Sequence, residues 1–172
     1  MQAAEWVVGQ QGAGHLTLEA VAERAGMSKG GLLYNFPTKE VLLKAMLSRL
    51  LERFDADQAA ERDARPSSGR PAARLEAFVR AGFREASDRQ KVSAALLAAG
   101  ASDPRLLAPV RDWKEGHFRS FASGARHPMR VLMVMLAMDG LWLTELLGTS
   151  KLDPAVRKAL MDEMLAFAES AV

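Results

Sequence analysis

The apolar residues of this chain recur at spacings of three and four, and nowhere do β-branched residues alternate with polar ones around a hairpin turn. That pattern, with its abundant Ala, Leu, Met, Glu, Arg and Lys, predicts an all-α fold. Proline and glycine then divide the chain. A first short helix stops at Gly12 and Gly14, a second runs from Leu18 to Ala25, and a third from Lys29 to Asn35 or Phe36. Pro37-Thr38 opens a long helix reaching about Asp63, with Val41, Leu42, Ala45, Met46, Leu50 and Phe54 along one stripe. The segment Ala64 to Pro71, rich in Pro, Ser, Gly and Arg, reads as a linker. Further helices are expected at Ala72 to Ser87, Arg89 to Ala99, Pro104 to Ser123, Pro128 to Leu147 and Pro154 to Ala171. In Asp103-Pro104, His127-Pro128 and Asp153-Pro154 the proline takes a first helical position, where no amide is needed, and an Asp before it caps well. Gly100, Gly124 and Gly148 fall near helix ends, where a left-handed residue is favoured.

Composition excludes several classes. With 172 residues, 49% of them apolar, the chain can bury a real core and is not intrinsically disordered. The absence of cysteine removes disulfides, thiolate metal sites and cysteine nucleophiles. A formal charge of +2, from 23 Lys and Arg against 21 Asp and Glu, is too small for nucleic-acid binding by bulk field, so any such binding must be local. Residues 1–46 are formally neutral, with Arg24, Lys29, Lys39 and Lys44 against Glu5, Glu19, Glu23 and Glu40. The N-terminus lacks the features of a secretory signal. The most apolar stretch, Val131 to Leu147, is interrupted by Asp139, Thr144 and Glu145 and falls short of the roughly 20 residues that span a bilayer. A cytoplasmic protein without a membrane span is expected.

The most specific pattern lies near the N-terminus. Thr17 can cap the second helix, with Glu19 in its first turn and Val21, Ala22 and Ala25 on its inner face. Gly26-Met27-Ser28 supplies a turn, an apolar plug and a second cap, and Met27 and Leu32 point to the same core. A small residue at Ala22, a glycine four positions on and apolar plugs beyond it form the helix-turn-helix arrangement, whose second helix enters the DNA major groove. Ser28, Lys29, Gly30 and Gly31 place free amides and a positive dipole end where phosphate is favoured, Tyr34 lies further along, and Lys39 adds a cation. Two successive glycines cost about 1 kcal/mol each relative to alanine but permit close backbone approach; the simpler reading is a weak helix start.

Residues 15–43, above all Ser28-Lys29-Gly30-Gly31-Leu32-Leu33-Tyr34-Asn35-Phe36-Pro37-Thr38-Lys39-Glu40-Val41-Leu42, resemble the DNA-binding signature of the TetR family of transcriptional regulators. The resemblance implies a three-helix helix-turn-helix domain over residues 1–46. A long helix would join it to a ligand-binding and dimerisation body over residues 47–172. It also implies a homodimer on a palindromic double-stranded DNA operator, most often as a repressor. By position, Thr17, Tyr34 and Lys39 would contact phosphates, with Lys29, Gly30 and Gly31 facing the bases and Ser28 at the same helix end. Many members carry the tyrosine one position earlier, where this chain has Leu33, and no basic arm precedes the first helix, so a modest affinity is expected.

In the body, Val131, Leu132, Met135, Leu136, Met138, Leu141 and Trp142 make the helix at 128–147 apolar around its circumference. Val156, Leu160, Met164, Leu165 and Phe167 stripe the helix at 154–171. These helices are the expected dimer face; packing on one another within the monomer is the alternative. Phe78, Phe83, Trp113, Phe118, Phe121, Met133, Met138 and Trp142 supply side chains suited to a small apolar or aromatic effector, or to an ordinary core. The candidate ligand residues are Phe78, Trp113, His117, Phe121, Met138 and Trp142. His117 lies one turn from Trp113, but no second histidine stands at a metal-binding spacing, so neither metal nor cofactor is expected. Phosphate-binding glycine loops, nucleophile elbows and zinc-binding histidine pairs are lacking, and acidic neighbours such as Asp162 and Glu163 read as solvated surface. An enzyme is not expected. The alternative to the regulator is a helical ligand-binding or adaptor protein without specific DNA binding.

Overall fold

The computed structural model describes residues 1–65, 70, 72–84 and 87–172. Among them are nine α-helices and no strand: α1 Gln2–Gln11, α2 Leu18–Ala25, α3 Lys29–Asn35, α4 Lys39–Ala64, α5 Ala73–Gly82, α6 Ser87–Ser102, α7 Ala108–Ala122, α8 Pro128–Leu146 and α9 Pro154–Glu169. The chain forms two compact units, Met1–Leu51 with Ala86–Asp112, and Glu52–Glu85 with Trp113–Val172, so α4 and α7 each run from one unit into the other. Most of the linker expected at Ala64 to Pro71 lies outside the described residues.

The core of the first unit gathers Val7 and Val8 of α1, Val21 and Ala22 of α2, Leu32 of α3 and Leu42 and Met46 of α4. Val92 and Leu96 of α6 and Leu106 of the following 3-10 turn complete it. Of the stripe expected on α4, Leu42 and Met46 are buried and Leu50 packs against the same core; Leu43 and Leu47 join them, while Val41 is exposed. Both faces of this stretch are apolar, so spacing alone could not choose between them.

In the second unit α8 is the central helix, burying Val131, Val134, Met135, Met138 and Leu141 among residues of α5, α7 and α9. Asp153 caps α9 by accepting the Ala155 amide at 2.8 Å, whereas the His127 side chain makes no cap. The His127 amide instead donates to the Ala171 carbonyl at 2.9 Å, tying the start of α8 to the end of the α9 segment. Gly124 and Gly148 are left-handed as expected, but Gly100 lies inside α6 against Leu107.

Two helices end or begin elsewhere than expected. The helix predicted to Ser87 stops at Gly82, because the Phe83 carbonyl accepts from Arg157 Nη1 at 2.6 Å rather than continuing the ladder. The helix predicted from Pro104 is a 3-10 turn over Pro104–Leu107 followed by α7. Asp103 Oδ1 accepts the Arg105 amide at 3.1 Å, and Pro109, which cannot sit inside an α-helix, falls in the first turn of α7. No described helix is long and apolar enough to cross a membrane.

Arg157 joins three helices, since its Nε also donates to Glu145 Oε1 at 2.9 Å and its guanidinium lies over the Phe83 ring. Its side chain is 22% exposed, so little solvent would replace these partners. Arg157→Met should lower stability by about 2 kcal/mol in urea unfolding; a loss below a few tenths would show that Arg157 does not hold α9 in place.

Candidate nucleic-acid interface and effector site

Local chemistry sets the turn between α2 and α3. Thr17 Oγ1 accepts the Ala20 amide at 3.1 Å and Ser28 Oγ accepts the Gly31 amide at 3.1 Å, so each helix begins at a side-chain cap. Gly26 ends α2 at φ 65°, and the Met27 amide returns to the Ala22 carbonyl at 3.1 Å, which closes the helix in the manner only a left-handed residue allows. Ala22 and Leu32 are buried at the crossing as expected. Met27 and Ala25 are not: Met27 stays 41% exposed and Ala25 faces solvent, so Leu32 alone is the plug.

The outer side of α3 presents Lys29, Gly30 and Tyr34, the last 89% exposed. Gly30 and Tyr34 are one turn apart and share a face. A Cβ on Gly30 would meet nothing within 4 Å, and one on Gly31 would meet only Ser28 Oγ at 3.3 Å and Met27 Cε at 3.6 Å. Packing therefore does not demand glycine at position 30. Lys39 is half-buried at the start of α4, where Thr38 Oγ1 accepts the Val41 amide at 3.3 Å. Lys29 does not stand free, because its ammonium pairs with Glu19 at 2.5 Å and that bond holds the Glu19 carboxyl below its usual range. Arg24 lies over the Trp6 ring, 4.1 Å from its centroid.

In the second unit Phe78, Trp113, His117 and Phe121 come together. Trp113 stacks on His117 at 3.8 Å between centroids, and Phe121 meets Phe78 at 5.5 Å and His117 at 5.4 Å, both edge-on. Sequence reasoning missed the α4 residues that organise this cluster. Phe54 packs edge-on against both Phe78 and Trp113. Asp55 accepts the Trp113 indole N–H with both oxygens at 3.0 Å and the Gln58 amide at 3.0 Å, and lies 3.1 Å from His117 Nε2. Gln58 is 3% exposed although it is a polar side chain, and its approach to His117 across 59 positions leaves no local signal. Met138 belongs to the same core.

Trp142 is not brought to that cluster. It is 47% exposed near the end of α8, four positions on from buried Met138, whereas Met129, Met133, Leu136 and Leu143 line the outer side of α8 and α9 exposes Val156, Leu160 and Phe167. Val131, Met135, Met138, Leu141 and Met164 point inward instead. Among the described residues no three His, Asp or Glu side chains gather as a metal site requires.

Two family descriptions match the chain. Residues 1–46 match "Bacterial regulatory proteins, tetR family", and residues 72–169 match "Tetracyclin repressor-like, C-terminal domain". A search of curated proteins finds no sequence relative. Among solved structures, the multidrug binding protein EbrR complexed with imidazole is 24% identical, with 95% of this chain and 90% of that one covered and a TM-score of 0.72. A transcriptional regulator from Rhodococcus sp. Rha1 is 22% identical over 99% and 96%, with a TM-score of 0.73. A TetR-family member from Streptomyces coelicolor A3 is 24% identical over 95% and 94%, with a TM-score of 0.72. These likenesses show the fold. With a helix-turn-helix unit and a helical body each matched along its own segment, the chain belongs to the TetR family of bacterial transcriptional regulators, a family without enzymatic activity.

Proposed function

We propose that the chain is a cytoplasmic, homodimeric repressor that binds a palindromic operator and is released by a small apolar or aromatic effector. The observation that carries the DNA-binding half is the outer face of α3. Gly30 costs helix stability of about 1 kcal/mol relative to alanine without any packing need, beside an exposed Lys29 and Tyr34. A surface that gives up stability and keeps its side chains clear suits close approach to base edges. In this reading Lys29, Gly30 and Gly31 face bases, Tyr34 and Lys39 reach phosphates, and Thr17 and Ser28 combine capping with contacts at the helix ends.

The dimer is supported by the large apolar residues that α8 and α9 turn outward, a surface that water penalises in a lone protomer. Trp142, which is not brought to the aromatic cluster, is left out of the effector site in the proposal. The effector reading rests on Asp55, which binds α4 to α7 through Trp113 and His117. An aromatic ligand entering among Phe78, Trp113 and Phe121 competes with those bonds, frees α4, and changes the spacing of the two recognition helices. Ligand and DNA then disfavour each other by the same factor.

Three measurements test this reading on the palindrome nearest the gene. Gly30→Ala should raise unfolding free energy by about 1 kcal/mol yet weaken operator binding in a gel shift, and unchanged affinity would remove the close-approach role. Glu19→Gln, by releasing Lys29 toward the base edges, should tighten binding to the operator more than to unrelated DNA in the same gel shift; an equal gain on all sequences means Lys29 does not read bases. Leu136→Glu should convert the sedimenting species from dimer to monomer and abolish operator binding while the helical circular-dichroism signal persists. A dimer that survives this charge on α8 would place the interface elsewhere.

A further inference from the structure

The second unit carries a concentration of positive charge that DNA binding does not use. A groove of about 700 Å³ between the end of α4, α5 and the end of α7 is lined by Arg62, Arg65, Arg70, Arg74 and Arg80 against two carboxylates, Glu61 and Asp63. The whole chain is only +2, so this one concavity holds more net positive charge than the rest of the molecule combined. Some of it is neutralised at once. Arg65 pairs with Glu61, and Arg70 pairs with Glu76 and approaches Glu169 at 3.5 Å. Among the described residues Arg74 meets only a neutral partner, the Ser120 hydroxyl at 3.2 Å. The side chains of Arg62 and Arg80 make no ion pair or hydrogen bond among the described residues. Gathering guanidinium groups in a concave site raises their mutual repulsion and focuses a positive field there, which an anion relieves. The planar fork of arginine matches the paired oxygens of a carboxylate or phosphate.

The lining is not only charged. Phe121 forms part of the groove and is also the edge of the aromatic cluster, 5.5 Å from Phe78 and 5.4 Å from His117. The volume falls within the range of small-molecule sites. Asp55 offers no comparable demand for a cation, since its oxygens already accept from Trp113 and Gln58 and lie beside His117. We infer that this groove binds an aromatic organic anion, its carboxylate or phosphate held by Arg62, Arg74 and Arg80 and its ring against Phe121. The inference deepens the effector reading by naming the charge of the ligand, and binding is measured without DNA, so failure of the repressor reading leaves it standing.

The test is calorimetric titration of the full chain with 2-naphthoate and 2-naphthyl phosphate, with 2-naphthylmethylammonium and inorganic phosphate as comparisons. At least one naphthyl anion should bind at least tenfold more tightly than the naphthyl cation and than inorganic phosphate; which anion does so separates a carboxylate from a phosphate ligand. Arg62→Gln/Arg80→Gln removes two side chains without partners in the fold, so the melting temperature should hold while anion affinity falls about tenfold or more. Equal binding of anion and cation, binding of inorganic phosphate as tight as that of the naphthyl anions, no anion binding, or full affinity in the double variant would each overturn the proposal.

Discussion

The carboxylate of Asp55 is the interaction on which the second unit's arrangement of α4 and α7 turns. Both its oxygens share the single Trp113 indole N–H, it accepts a second bond from Gln58, and His117 stands within ion-pair distance. Each donor would otherwise be a polar group in an aromatic surrounding, at a cost of about 1–3 kcal/mol when left unmade. Because Phe54 sits next to Asp55 in sequence and packs on Phe78 and Trp113, polar and apolar contacts reinforce one position of the helix. A hub of this kind has few alternatives: moving α4 along or about its axis breaks several bonds together. That is what a two-state element requires, and a ligand that favours the broken arrangement can be felt along the whole helix.

How much of this was legible in the sequence depends on the range of the interaction. The helix-turn-helix was, because its determinants are local: Thr17 and Ser28 cap three residues ahead, and Gly26 turns by its own φ of 65°. Helix ends set by distant partners were not. The stop at Gly82 depends on Arg157, 74 positions beyond the Phe83 carbonyl it binds. Pro109 does carry a local signal against one continuous helix from Pro104 to Ser123, since proline cannot sit inside an α-helix. Which way an apolar helix faces was the hardest to read. Val41 and Leu42 are equally apolar and adjacent, and only packing decides that one is exposed and the other buried. Trp142 is expected among ligand residues by its type and follows buried Met138 by one turn, yet it is 47% exposed because it lies near the end of α8.

Charge is distributed against simple expectation for a DNA-binding family. Residues 1–46 balance four cations with four anions, and the two cations nearest the candidate interface are partly committed, Lys29 to Glu19 and Arg24 to Trp6. In the other unit, by contrast, five arginines line one groove against two carboxylates. A pair such as Lys29 and Glu19, both about 60% exposed, adds little to stability in water, so its presence is not explained by folding. Its effect is to hold a lysine in one place while cancelling its long-range field. In the proposed reading a base edge must displace the carboxylate to gain the cation, so contacts anywhere along the backbone gain little from Lys29 and a fully fitted site gains more. Close approach at Gly30 and a restrained cation then serve the same end, discrimination at some expense of affinity, and neither would follow from a helix selected for charge alone.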